Sequence, residues 1–189
     1  MQSKLILATT VCLIIFPACF FFFADFQHLP VKSRFLASVF QSVTPRTAGF
    51  NTVDITMMTE ASKVVMILLM LIGGSPGSTA GGMKTTTFAV LLLNAVATFK
   101  SQEHAGAFGR RIDDQVIKNA ASIAMLYFMM FLAGGIVIST AEGLPILGSL
   151  FEAASAMGTV GLTLGITPSL HKISLYVLIL LMYMGRVGG

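Results

Sequence analysis

Between Ala61 and Phe99 the chain runs 39 residues with only two charged side chains, Lys63 and Lys84. As one helix it would be about 58 Å long, nearly twice the hydrocarbon thickness of a bilayer. Its centre reads Gly73-Gly74-Ser75-Pro76-Gly77-Ser78-Thr79-Ala80-Gly81-Gly82, with six of ten residues Gly or Pro, and that excludes a continuous helix. The run is therefore expected to be a membrane helix broken in its middle. Non-helical backbone at that depth survives only where protein or a water-filled cavity satisfies its polar groups.

The rest of the chain repeats the theme. Leu5 to Ala24 carries no charge and ends in four phenylalanines, Phe20 to Phe23, without the cleavage site of a signal peptide. Pro17 within it is a fault that membrane helices tolerate. Asp25 to Glu60 is too polar to span and contains an amphipathic piece, Ser33 to Val43. Asn119 to Ala141 is a third uncharged run, Ile146 to Ala156 a second short amphipathic helix, and Ile173 to Gly185 opens a fourth span. That last run stops at Gly189 without a polar end, so the chain reads as a fragment. Composition agrees: 55% of the 189 residues are hydrophobic and 11% charged, against about a quarter charged in soluble domains. A disordered chain is excluded, and a cytosolic enzyme disfavoured.

Charge adds little. The net charge is +4, and the densest basic group, Lys100, Arg110, Arg111 and Lys118, is interleaved with Glu103, Asp113 and Asp114. This is a solvated loop rather than a nucleic-acid surface. Cys12 and Cys19 stand about 10 Å apart along a helix, too far for a disulfide, and are expected to be buried apolar side chains. Glu152, His28, His104 and His171 lack metal-ligand spacing and are expected in structural or surface roles. Met125, Met129 and Met130 are expected to face lipid or fill the core. A phosphate-loop reading of Gly77 to Thr85 fails, because Met83 stands where glycine must precede Lys84 and no strand leads in.

A constant offset of 112 positions superimposes the two halves: Thr47-Ala48-Gly49-Phe50 falls on Thr159-Val160-Gly161-Leu162, Gly73 on Gly185, and Gly77 on Gly189. Each unit is a span, a short helix, a Gly-containing loop and a second span. Two crossings per unit make the units parallel, related by an axis along the membrane normal, with the short helix and loop re-entrant. Parallel units enclose a central path, so two of them are half of a fourfold ring.

Gly158 to Leu162 contains the Thr-Val-Gly core of a potassium filter, in which backbone carbonyls replace an ion's hydration shell. Glycine supplies the dihedrals that turn those carbonyls inward. The short helix before each loop would aim its negative C-terminal end at the cation. Thr47-Ala48-Gly49-Phe50 keeps the Thr-x-Gly core after the other short helix.

At Phe40-Gln41-Ser42-Val43-Thr44-Pro45-Arg46-Thr47-Ala48-Gly49-Phe50 and Gly73 to Thr87 the chain resembles the Trk/Ktr/HKT superfamily of potassium transporters. Phe151-Glu152 followed by Gly158 to Leu162, and Met184-Gly185-Arg186-Val187-Gly188, extend the resemblance. It covers essentially the whole chain, and it looks most like the membrane subunit of bacterial Ktr systems. The resemblance implies an all-α, multi-pass membrane protein of span–re-entrant loop–span repeats around a central pore. Residues 1–100 would be the third repeat, 101–117 a cytoplasmic linker, and 118–189 the fourth repeat, truncated in its last helix. It implies a selectivity filter at Thr47, Ala48, Gly49, Phe50, Thr159, Val160, Gly161 and Leu162. It implies a gate at Gly73, Gly74, Ser75, Pro76, Gly77, Ser78, Thr79, Ala80, Gly81 and Gly82, with Lys84 and with Arg186 projecting into the pore. No enzymatic activity and no cofactor are implied; potassium is the transported ion, with sodium as a modulator. The implied partners are a second copy of the chain and a cytoplasmic nucleotide-binding regulatory ring, and the implied location is the bacterial plasma membrane with the filter loops outside. Charge bias does not decide that orientation, because basic residues divide about evenly between the two sides. The competing expectation is a sodium- or proton-coupled carrier with alternating access.

Overall fold

The structure, a computed structural model, describes residues 2–102, 104–108 and 110–187; the alignment of Gly77 with Gly189 and the motif position Gly188 lie outside them. Among the described residues, two helices are long and apolar enough to cross a bilayer alone: α1 (Gln2–Ala24) and α5 (Asp114–Glu142). Between them lie α2 (Val31–Val43), α3 (Glu60–Leu71) and α4 (Thr85–Phe99); after α5 come α6 (Ile146–Met157) and α7 (Lys172–Val187). The 39-residue apolar run is thus two helices, α3 and α4, separated by the Gly- and Pro-rich stretch.

Both halves follow the order long helix, short helix, loop, 3-10 turn, helix. The helix after the 3-10 turn begins 112 residues apart in the two units, at Glu60 and Lys172. A carboxylate at the end of each long helix anchors it. Asp25 accepts from the Thr59 amide (2.8 Å) and the Ser62 hydroxyl, while Glu142 accepts from the His171 amide (2.8 Å) and the Ser174 hydroxyl. Negative charge at a helix N-terminus opposes the positive end of its dipole and occupies otherwise orphaned amides.

The core lies where α6 packs against α3, α5 and α7, around Phe151, Met157, Met66, Met70 and Ile138, all with no exposed surface. Small residues permit that approach. A Cβ on Gly134 would come within 2.6 Å of Leu181, and one on Gly135 within 2.5 Å of Leu150. Gly185 on α7 is tighter still, because a Cβ there would overlap the backbone carbonyl of Met157. Gly185→Ala is therefore expected to destabilise the protein by about 1–3 kcal/mol, read as a lower thermal midpoint in detergent; an unchanged midpoint would refute the close packing.

Three expectations need correction. Cys12 and Cys19 are exposed rather than buried, on the outer surface of α1. The methionines need no correction: Met125 and Met129 lie on the exposed apolar surface of α5 and Met130 packs against the core, both as expected. The polar segment after α4 is more than a solvated loop. Gly106–Ala107 and Arg110–Arg111 pair as a minimal antiparallel hairpin, and Ala105 and Ile112 are buried with Val90, Ala97 and Ala120 in a small apolar cluster. Helix α5 also begins earlier than its uncharged run, because Asp113 caps it by accepting the Gln115 amide at 3.0 Å.

Candidate functional site

The two Thr-x-Gly loops leave their helices in the same way. Thr47 and Thr159 have φ of 65° and 51°, and Gly49 and Gly161 have φ of 75° and 92°. A β-branched residue rarely enters the left-handed region, so its recurrence at both equivalent threonines is a shared backbone design. The amides are consumed locally. Those of Ala48 and Gly49 donate to the Thr44 carbonyl at 3.2 Å, those of Thr159 and Val160 to Ala156 (3.0 Å) and Ser155 (2.9 Å). Among the described residues, no donor reaches the carbonyls of Thr47, Ala48, Gly49, Thr159, Val160 or Gly161. Backbone acceptors left without donors are what a dehydrated cation requires. The C-terminal ends of α2 and α6 point their partial negative charge into the same loops.

The loops touch. Gly49 sits so close to Val160 that a Cβ on it would overlap the Val160 carbonyl oxygen. Gly161 has nothing within 4 Å of its Cβ position. The second loop borders a cavity of about 460 Å³ lined by Glu152, Thr159, Gly161, Thr167, Leu178 and Met182. The outer positions differ, Phe50 being 71% exposed and Leu162 buried.

Each loop is braced by its own device. The Thr44 hydroxyl accepts the Phe50 amide (3.0 Å) and donates to the Phe50 carbonyl (2.5 Å), closing the first loop on itself. In the second, Glu152 on α6, 4% exposed, accepts from the Thr163 hydroxyl (2.7 Å), the Leu164 amide (2.9 Å) and the Thr167 hydroxyl (2.7 Å). Glu152→Ala strands those donors and is expected to cost about 3 kcal/mol; a thermal midpoint equal to the parent's would remove the brace from the account.

The Gly-rich stretch is an ordered loop. Its base is closed by Gly73 donating to Met83 (2.8 Å) and Met83 to Leu71 (3.1 Å). Lys84 donates to the Ala80 carbonyl at 2.8 Å, and Arg186 on α7 to the Thr79 carbonyl. The Gly82 amide donates to Gly185 (3.2 Å), and the Gly81 amide to the Thr159 hydroxyl (3.1 Å). Glycine is needed at Gly81, since a Cβ there would overlap the Thr159 side chain. All the singled-out positions from Thr47 to Leu162, with Lys84 and Arg186, therefore belong to one assembly rather than scattered sites. Gly77 and Ser78 stand at its exposed tip.

Three contributors escaped the sequence reading. Arg46 donates to the Gly73 carbonyl at 3.4 Å, with its Nε buried and unpartnered. Tyr127 on α5 donates to the Gly185 carbonyl at 3.3 Å, and Thr44 is the staple described above. A lone arginine in an otherwise uncharged loop was the available signal for Arg46; nothing marked Tyr127.

The whole chain, residues 1–189, matches the model of a family described as TrkH, cation transport protein. The chain belongs to the TrkH family. Among its curated relatives, the potassium/sodium uptake protein NtpJ of Enterococcus hirae is 39% identical over all of this chain and 44% of its own length. The Ktr system potassium uptake protein B of Bacillus subtilis is 37% identical over 85% of this chain and 36% of its own. The crystal structure of the potassium transporter TrkH from Vibrio parahaemolyticus superposes with a TM-score of 0.80 at 21% identity, over 96% of this chain and 42% of that one. This TrkH-family chain thus spans less than half the length of these relatives. It is a mostly helical, multi-pass membrane protein, as its sequence leads one to expect, with the short hairpin after α4 as the exception.

Proposed function

We propose that this chain forms half of a potassium uptake pathway. The two Thr-x-Gly loops are adjoining quarters of a carbonyl-lined selectivity filter, and Gly73–Gly82, held by Lys84 and Arg186, is the gating loop beneath it. The observation that carries this reading is the set of donor-free carbonyls at 47–49 and 159–161, presented by matching left-handed backbones on touching loops. Residues 1–100 and 118–189 act as two successive repeats joined by a cytoplasmic linker, and the remaining quarters come from further repeats of the complete protein. That protein works as a homodimer with a cytoplasmic nucleotide-binding ring, takes up potassium with sodium as a modulator, and catalyses no reaction.

The test uses the full-length protein in a bacterium lacking its own potassium uptake systems. Restored growth at low potassium, with saturable uptake that needs no fixed ratio of co-transported sodium or protons, is expected. Strictly stoichiometric co-transport would replace the channel-like mechanism with a coupled carrier.

A further inference from the structure

The two filter loops each hold one end of the gating loop by a side chain. Arg46, from the first filter loop, donates to the carbonyl of Gly73 where the gating loop begins. Thr159, from the second, accepts the amide of Gly81 where it ends. Thr159 is itself a filter position, with φ of 51° and a carbonyl that no donor reaches. A β-branched residue keeps that conformation only where its surroundings over-determine it. Two supports are visible: its amide donates to Ala156 at 3.0 Å, and its hydroxyl takes the Gly81 amide at 3.1 Å. The second belongs to the gating loop.

We infer that Thr159 is a positioning residue that latches the gating loop to the filter, so that gate opening and filter geometry form one coupled equilibrium. The inference rests on the filter-and-gate reading above and adds its regulation. When the loop swings away, Gly81 withdraws a hydrogen bond from a strained filter residue, and the filter relaxes. Coupling is reciprocal, so whatever fixes the Thr159 backbone, a bound cation included, also changes the equilibrium of the loop. Arg46 provides the second tie at the other end of the same loop.

The experiment measures potassium uptake by the full-length protein carrying Thr159→Val, which keeps the shape and removes the acceptor. Potassium flux should rise about three- to tenfold, the worth of one net hydrogen bond, and Thr159→Ser should bring it back toward the parent. Gly81→Ala, whose Cβ would overlap the Thr159 side chain and push the loop off it while leaving the filter sequence unchanged, should shift flux in the same direction. The deciding comparison is Thr159→Val in a background lacking Ser75–Gly82, where its effect on flux should vanish because its partner is gone. An equal factor in both backgrounds, or serine behaving like valine, would overturn the latch. Gly161→Ser separates the two ideas: unchanged ion selectivity there defeats the filter reading, while the background comparison reports on the latch alone.

Discussion

Deleting Ser75–Gly82 from the full-length protein should raise potassium flux at least about tenfold. The loop proposed as the gate is held in place by the Lys84 and Arg186 contacts on neighbouring carbonyls, by the Gly82 amide on Gly185 and by the Gly81 amide on Thr159. Each such bond contributes about 0.5–1.5 kcal/mol net, and a factor of ten in an equilibrium needs only about 1.4 kcal/mol. Removing the loop removes all four ties while leaving its base, where Ile72 pairs with Met83, able to close. Initial rates of potassium uptake, normalised to protein in the membrane, read the result. A folded deletion variant with flux at or below the parent would show that the loop does not obstruct the path.

What the sequence made legible was whatever is periodic or punctuated. The five glycines and Pro76 between α3 and α4 announced the broken helix, because helix propensity penalises them directly. The Thr-x-Gly pair was visible because a repeat doubles a weak motif. Lateral pairings were not legible. Glu152 meets Thr163 and Thr167 across a turn of loop, and Tyr127 meets Gly185 across 58 positions, with no pattern in between. The cysteines were misplaced for a related reason. Helix α1 is apolar on all sides, so nothing in its sequence says which side meets protein and which meets lipid. The hairpin around Ala107 was hidden beneath charges, its buried residues being only small or single apolar side chains.

The second large effect concerns the two glycines of the proposed filter, which should respond differently to the same change. At Gly161 an added Cβ meets no atom within 4 Å, so the main cost of a serine is to the backbone. A φ of 92° is foreign to a residue with a Cβ, and relaxing it turns the 160–161 peptide and its carbonyl away from the ion. A backbone cost of about 1–2 kcal/mol taken from the preferred ion alone lowers potassium-over-sodium discrimination about tenfold. Gly161→Ser should therefore fold normally and lose selectivity. Gly49→Ser has the same dihedral problem, at φ 75°, and its Cβ also overlaps the Val160 carbonyl of the neighbouring loop. It should lose selectivity and lower the thermal midpoint as well, because carbonyl and Cβ cannot share that space without displacing one filter quarter against the other. Competitive uptake of potassium and sodium, paired with thermal unfolding in detergent, distinguishes the two variants. Selectivity equal to the parent in both would mean that these carbonyls do not coordinate the ion; equal loss of stability in both would mean that the loops do not meet at Gly49 and Val160.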